Sequence, residues 1–223
     1  MTEKFMEERI STPTHGRYLL RPSRTAPRGL LVGFHGYAET AEHMMRELVR
    51  IPGSEDWLLC SMQALHFFYR GRTDEVVASW MTRTLREEAI QNNLEYVGSV
   101  VDGVRKKFDC DSMMVVTGFS QGAAMAYRTA FLGREGVDGI IVLGGDIPPE
   151  IEAIAGPKRP RILIGQGSRD EWYTHDILAR DKEKLEALGL PFEVFTFSAG
   201  HEWNSVFRER CGKFLDGFST DGS

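Results

Sequence analysis

The sequence has little cysteine, no long apolar run and no concentration of positive charge, and each shortage removes a class of protein. Its three cysteines, Cys60, Cys110 and Cys211, are odd in number and widely spaced. They fit neither a disulfide framework nor a zinc site and read as ordinary thiols. No apolar stretch nears the roughly 20 residues that a membrane helix requires, so no membrane span is expected. The segment Met1 to Ile10 is charged and lacks the apolar region of a secretory signal, so a soluble, cytoplasmic protein is expected. A net charge of −5, with no dense Lys/Arg stripe, argues against nucleic acid, whose phosphates demand clustered cations. Neither a G-x-G-x-x-G nor a P-loop spacing occurs. His201-Glu202 opens like the zinc motif H-E-x-x-H, but Ser205 stands where the second histidine must be. No metal, nicotinamide, nucleoside triphosphate or other cofactor is implied.

What is present is enough apolar material, 42% of 223 residues, for one sizeable core. Runs of strand length recur at Tyr18–Leu20, Leu30–Phe34, Trp57–Cys60, Met113–Thr117, Gly139–Leu143, Arg161–Gly165 and Phe192–Phe197. They are short and mostly continuous, as strands covered on both faces are. Between Thr84 and Phe108 the spacing changes to fours and threes (Ile90, Leu94, Val97, Val101, Val104, Phe108), the mark of one buried helical face. Thr84 and Glu87 have capping-box spacing at its start. Further helices are expected over Thr40–Arg50, Gln121–Leu132, Thr174–Leu188 and Trp203–Asp216, the Thr174 helix ending at Gly189 before Leu190-Pro191. Strands alternating with helices imply an α/β fold, a mostly parallel, doubly wound sheet with helices on both faces. A single domain over residues 1–223 is expected, with Met1 to Arg17 as an antiparallel edge hairpin and with a small lid or none.

The most informative five residues are Gly118-Phe119-Ser120-Gln121-Gly122, between a β-branched run and a helix of small residues. A G-x-S-x-G turn forces its serine into a strained backbone conformation, tolerable only where both flanking glycines leave room. The hydroxyl then stands at a helix N-terminus, where N–H groups and the helix dipole favour negative charge.

In an open sheet of this kind ligands bind beyond the carboxyl ends of the strands, so the partners of Ser120 are sought just after strands. His35-Gly36-Tyr37 follows the second strand, and its glycine lets backbone approach a reacting carbonyl. The N–H groups of Tyr37 and Gln121 are candidates for an oxyanion hole. His35 itself reads better as a loop histidine holding the turn than as a catalytic group. Asp170, after Arg161–Ile164, is the candidate acid, with Asp146 as rival and a helix N-cap as its alternative role. His201, after Phe192–Phe197, is the one histidine of six that follows both and sits on a small-residue turn beyond a strand. Trp80, Trp172, Tyr173 and Trp203 lie in loops near these residues and are candidate pocket walls, as are Phe67, Phe68 and Tyr69 if they are not simply core.

With these residues in view the chain resembles the phospholipase/carboxylesterase branch of the α/β-hydrolases, from about Leu30 to the last helix. The resemblance rests on His35-Gly36, Gly118 to Ala123, Gly144-Gly145-Asp146-Ile147-Pro148, Gly167 to Asp170 and Gly200-His201. It implies a Ser120-Asp170-His201 triad, an oxyanion hole at Tyr37 and Gln121, no cofactor, and hydrolysis of a small-molecule ester. Small or short-chain carboxylic esters are the expected substrates. A lysophospholipase or acyl thioesterase with the same triad is the first alternative and a non-catalytic ligand binder on the same fold the second. The chain departs from the family at Ser61 to His66 and Ser79 to Thr82, where members usually carry a proline-containing segment and then Trp-Phe-Asp. The resemblance therefore reaches the reaction further than the substrate. A homodimer is compatible with the sequence, which does not fix the oligomeric state.

Overall fold

A computed structural model of the chain describes residues 5–110, 113–151 and 159–218. Seven strands form one sheet in the order β1 (Tyr18–Arg21), β3 (Leu58–Met62), β2 (Leu30–Phe34), β6 (Met114–Phe119), β7 (Gly139–Leu143), β8 (Arg161–Gly167) and β9 (Phe192–Phe197). All neighbours are parallel except β1, which pairs antiparallel with β3, Leu20 opposite Cys60. The antiparallel edge is β1, paired with β3, and the edge hairpin expected over Met1 to Arg17 does not form among the described residues. Residues 5–17 carry no strand, and residues 1–4 of the expected hairpin lie outside the described residues.

Both faces of the sheet are covered, which explains why its strands read as unbroken apolar runs. Leu30, Val32, Met114, Val116, Ile140, Val142, Ile162 and Ile164 face a core shared with α2 (Arg86–Phe108), α3 (Gln121–Phe131) and α4 (His175–Ala187). Their alternate neighbours Leu31, Val115, Ile141 and Leu163 face a second core with α1 (Ala41–Leu48) and α5 (Ser205–Asp216), built on Met44, Leu48, Phe207 and Phe214. A strand presents successive side chains to opposite faces, so continuous hydrophobicity fills two cores at once.

The helix ends follow their local chemistry unevenly. At the C-terminus of α4, Gly189 takes the left-handed conformation (φ 61). Its N–H bonds to Glu186 O and the Leu190 N–H to Leu185 O, the paired closure that a glycine stop predicts. The expected capping box at Thr84 does not form. Helix α2 starts later, at Arg86, behind Leu85 in the left-handed region (φ 51), and Thr84 bonds instead with Thr82. A capping box does occur at α1, where the Thr40 N–H donates to His43 Nδ1, histidine standing in for the usual glutamate.

One element escaped the sequence pattern. β4 (His66–Tyr69) and β5 (Val76–Ser79) pair antiparallel as a separate two-stranded sheet. Phe67 and Tyr69 are exposed, and the Phe68 ring stacks on Tyr37 at 5.2 Å. This hairpin leans on the loop after β2 rather than joining the main sheet, with Ala38 and Glu39 bonded to Ala78. The three cysteines are all buried and unbridged.

Candidate active site

Ser120 sits between the last residue of β6 and the first of α3 with φ 53 and ψ −120, a conformation that costs an L-residue about 1–3 kcal/mol. Close packing on both sides holds it there. A Cβ on Gly118 would lie 2.1 Å from the Gly122 carbonyl oxygen, and one on Gly122 would lie 2.1 Å from Phe34 O. The Ser120 N–H is fixed by Leu143 O at 2.9 Å. The sequence therefore makes the turn and the neighbouring strands make it unavoidable.

Asp170 and His201 meet. His201 Nδ1 lies 2.8 Å from Asp170 Oδ2, while the other carboxylate oxygen accepts the backbone N–H groups of Trp172 (2.8 Å) and Tyr173 (2.9 Å). The acid is 8% exposed and its loop is tied to the histidine loop by Arg169 N–H to Ala199 O and Arg169 Nη1 to Ser198 Oγ. Among the described residues Ser120 Oγ makes no hydrogen bond to His201, and the pair reaches the serine turn only through the Gly144-Gly145 loop and the Phe119 ring. A Cβ on Gly144 would meet His201 Nδ1 at 3.0 Å, one on Gly145 would meet Ser120 O at 2.4 Å, and the Phe119 ring packs on the imidazole at 4.9 Å. Asp146, the rival acid, is exposed, and among the described residues it is Asp170, not Asp146, that bonds to His201.

The loop after β2 is fastened from several sides. Trp80 Nε1 donates to His35 O (2.8 Å), Gly36 N–H to Glu39 Oε2 (2.8 Å) and Ala38 N–H to Ala78 O (3.0 Å). The Tyr37 N–H between them has no intramolecular acceptor among the described residues, nor has that of Gln121. The Gln121 side chain is fully used: Oε1 accepts the Trp80 N–H at 2.9 Å and Nε2 donates to Met81 O at 3.0 Å. One residue thus offers a free N–H at the turn and clamps the 79–81 segment, which in turn braces His35.

His35 is completely buried and structural. Its Nδ1–H donates to Gly36 O (2.7 Å) and its Nε2 accepts the Ala64 N–H (3.0 Å), which defines a neutral imidazole. Burial pushes its pKa down from 6.5 to about 4. A group depressed in this way stabilises the fold fully above the unfolded value, and that contribution disappears as pH falls through about 4. Comparing urea unfolding of the wild type with His35→Gln, we expect the free-energy difference to shift by about 3 kcal/mol against the wild type between pH 7 and pH 4. A pH-independent difference would contradict the neutral assignment.

Two of the expected pocket walls belong to the core. Trp80 is 0% exposed and serves as the strut just described, and Tyr173 is 1% exposed with its hydroxyl donating to Asp181 Oδ2 at 2.9 Å. Neither offers surface to a ligand, because proximity in sequence to a site does not set the direction of a side chain. Trp172 is 78% exposed, and Trp203 lines a cavity of about 260 Å³ beside His201. A larger groove, about 640 Å³, lies between residues 11–18 and α2 and borders none of the proposed site residues.

Asp181 supports the site without having been expected there. Burial raises its carboxyl from 3.8 to about 6, and it accepts both the Tyr173 hydroxyl and the Ile147 N–H, supporting the acid loop and the Gly144 loop from behind. Its signal is faint but real: an acid spaced three after Leu178 and four before Leu185, on the apolar stripe of α4.

A parallel sheet with one antiparallel edge, helices on both faces and a strained serine between strand and helix defines an α/β-hydrolase. Solved structures agree on the fold: the carboxylesterase of Bacillus cereus superposes with a TM-score of 0.74 at 14% identity, over 92% of this chain and 95% of that one. The carboxylesterase of Mesorhizobium loti gives 0.74 at 17% identity, over 91% and 95%. The chain belongs to the phospholipase/carboxylesterase family, whose model matches residues 75–217. It is also similar to acyl-protein thioesterase 1 of Emericella nidulans, 27% identical over 140 residues, a match that covers 58% of each chain. Among the described residues no helix is long and apolar enough to cross a membrane, and no cluster of three metal-binding side chains occurs.

Proposed function

We propose that this hydrolase is a serine esterase acting on small or short-chain carboxylic esters. Ser120 is the nucleophile, His201 the base, Asp170 the orienting acid, and the Tyr37 and Gln121 N–H groups receive the oxyanion. The observation that carries the reading is the Asp170–His201 contact of 2.8 Å, made at the carboxyl end of the sheet where β6 turns into a serine held at φ 53. In the first half-reaction Ser120 Oγ bonds to the ester carbonyl carbon as His201 Nε2 takes its proton. The C–O bond to the alcohol then breaks and that proton passes to the departing oxygen. Water repeats the sequence on the acyl-enzyme and restores the serine. Asp170, accepting from Nδ1–H, keeps Nε2 free as the base and stabilises the imidazolium. Each oxyanion donor contributes about 3 kcal/mol to lowering the barrier.

Three buried cysteines with no disulfide among them suit a reducing compartment, and this supports a cytoplasmic enzyme. Thioester cleavage is the second reading, favoured by the partial match to the fungal protein named a thioesterase, since the steps are the same. Incubation with a fluorophosphonate is expected to place one covalent adduct on Ser120, located by peptide mass spectrometry. An intact protein that takes up none is a binder rather than an enzyme. Oxo- and thioesters of one acyl group, assayed side by side, then decide between the two catalytic readings.

A further inference from the structure

The cavity beside His201 bears on which esters are cleaved. In the proposed esterase reaction, on which the assignment of this cavity rests, the histidine returns its proton to the leaving oxygen. The alcohol attached to that oxygen must therefore lie on the His201 side of Ser120, whereas the carbonyl oxygen turns toward the Tyr37 and Gln121 N–H groups. The cavity of about 260 Å³ borders His201 itself, with Phe119, Met44 and Trp203 as apolar walls. It is smaller than the usual range of about 300–1,000 Å³ for ligand pockets, and so is sized for a small group.

Its rim is charged, and the charges differ in availability. Glu39 is held by the Gly36 N–H and Glu47 by Arg208 at 2.7 Å, while His43 is engaged by the Thr40 N–H. Arg46 and Glu202, also on the rim, have no hydrogen-bond or ion-pair partner among the described residues. One mouth thus presents a free donor, a free acceptor and an indole face. Arg46 and Glu202 are exposed at this rim and keep their water, so a hydrocarbon chain gains no bond from either. Hydroxyl groups satisfy both, accepting from the guanidinium and donating to the carboxylate, while their C–H backbone rests on Trp203. We infer that this cavity is the alcohol subsite and that the leaving alcohol is small and polyhydroxylated, of the glycerol or monosaccharide type.

The test compares two butyrate esters whose leaving groups have six heavy atoms each, glyceryl monobutyrate and pentyl butyrate. Both pass through the same butyryl-enzyme, so the ratio of their kcat/KM values isolates the alcohol. The wild type is expected to favour the glyceryl ester about tenfold, the worth of one or two charge-assisted hydrogen bonds. Arg46→Met and Glu202→Met are each expected to lower that ratio at least about threefold, whereas a mere folding defect would lower both rates alike. A wild-type ratio near one or below, or a ratio that neither substitution moves, overturns the inference. If Ser120 takes up fluorophosphonate and that ratio is near one, only the subsite falls. If neither ester is cleaved and no adduct forms, the esterase reading falls with it.

Discussion

Replacing Ser120 by alanine is expected to lower kcat/KM for a butyrate ester by about 10⁴ to 10⁶ while the protein remains folded. The substitution removes only the hydroxyl oxygen proposed to attack. Alanine keeps the Cβ, so the left-handed strain at φ 53 is the same before and after, and the glycines that accommodate the turn are untouched. The Ser120 N–H to Leu143 O bond belongs to the backbone and survives. Thermal unfolding should therefore stay close to the wild-type midpoint. Any residual rate would come from the Tyr37 and Gln121 N–H groups acting on a water-attacked ester. A variant that kept more than about a hundredth of wild-type activity would remove Ser120 from the nucleophile's role.

Asp170→Asn is expected to cost nearly as much, about 10⁴-fold in kcat, by a different route. The amide oxygen of asparagine can still accept the Trp172 and Tyr173 N–H groups, so the loop keeps its shape. Its NH₂ then faces His201 Nδ1 where a carboxylate oxygen stood at 2.8 Å. Two donors cannot share that contact, so the imidazole adopts the tautomer with its proton on Nε2, which is useless as a base toward Ser120. The loss should appear in kcat with KM little changed, and the melting point should move by a few degrees at most. Equal activity in the aspartate and asparagine forms would return Asp170 to the role of loop cap.

The elements were legible wherever burial was two-sided or one-faced. Leu30–Phe34, Gly139–Leu143 and Phe192–Phe197 are strands over the ranges their apolar runs define, and the fours-and-threes pattern from Ile90 to Phe108 is α2. The β4–β5 hairpin was not legible. Phe67, Phe68 and Tyr69 are hydrophobic without facing a core, because their support is Tyr37, some thirty residues away and itself half outside the protein. Trp80 misled for a related reason: its loop lies near the site, but its indole turns inward to reach His35 O, and only the bond partner reveals that. Asp181 was hidden because a single acid on an apolar stripe looks like a flaw in the pattern until Tyr173 and Ile147 are seen donating to it.

By itself the amino-acid order determined the serine turn and the class of sheet that carries it. Both depend on neighbours within a few positions: glycines that leave room around Ser120, and side chains whose alternation fills two cores. Only the tertiary structure decided which carboxylate meets His201, which aromatic rings reach the cavity beside it, and how Gln121 braces the loop after β2. Those contacts join residues some 30 to 45 positions apart, and hydrogen bonds of 2.8 to 3.0 Å depend on where the folded strands end rather than on any local preference.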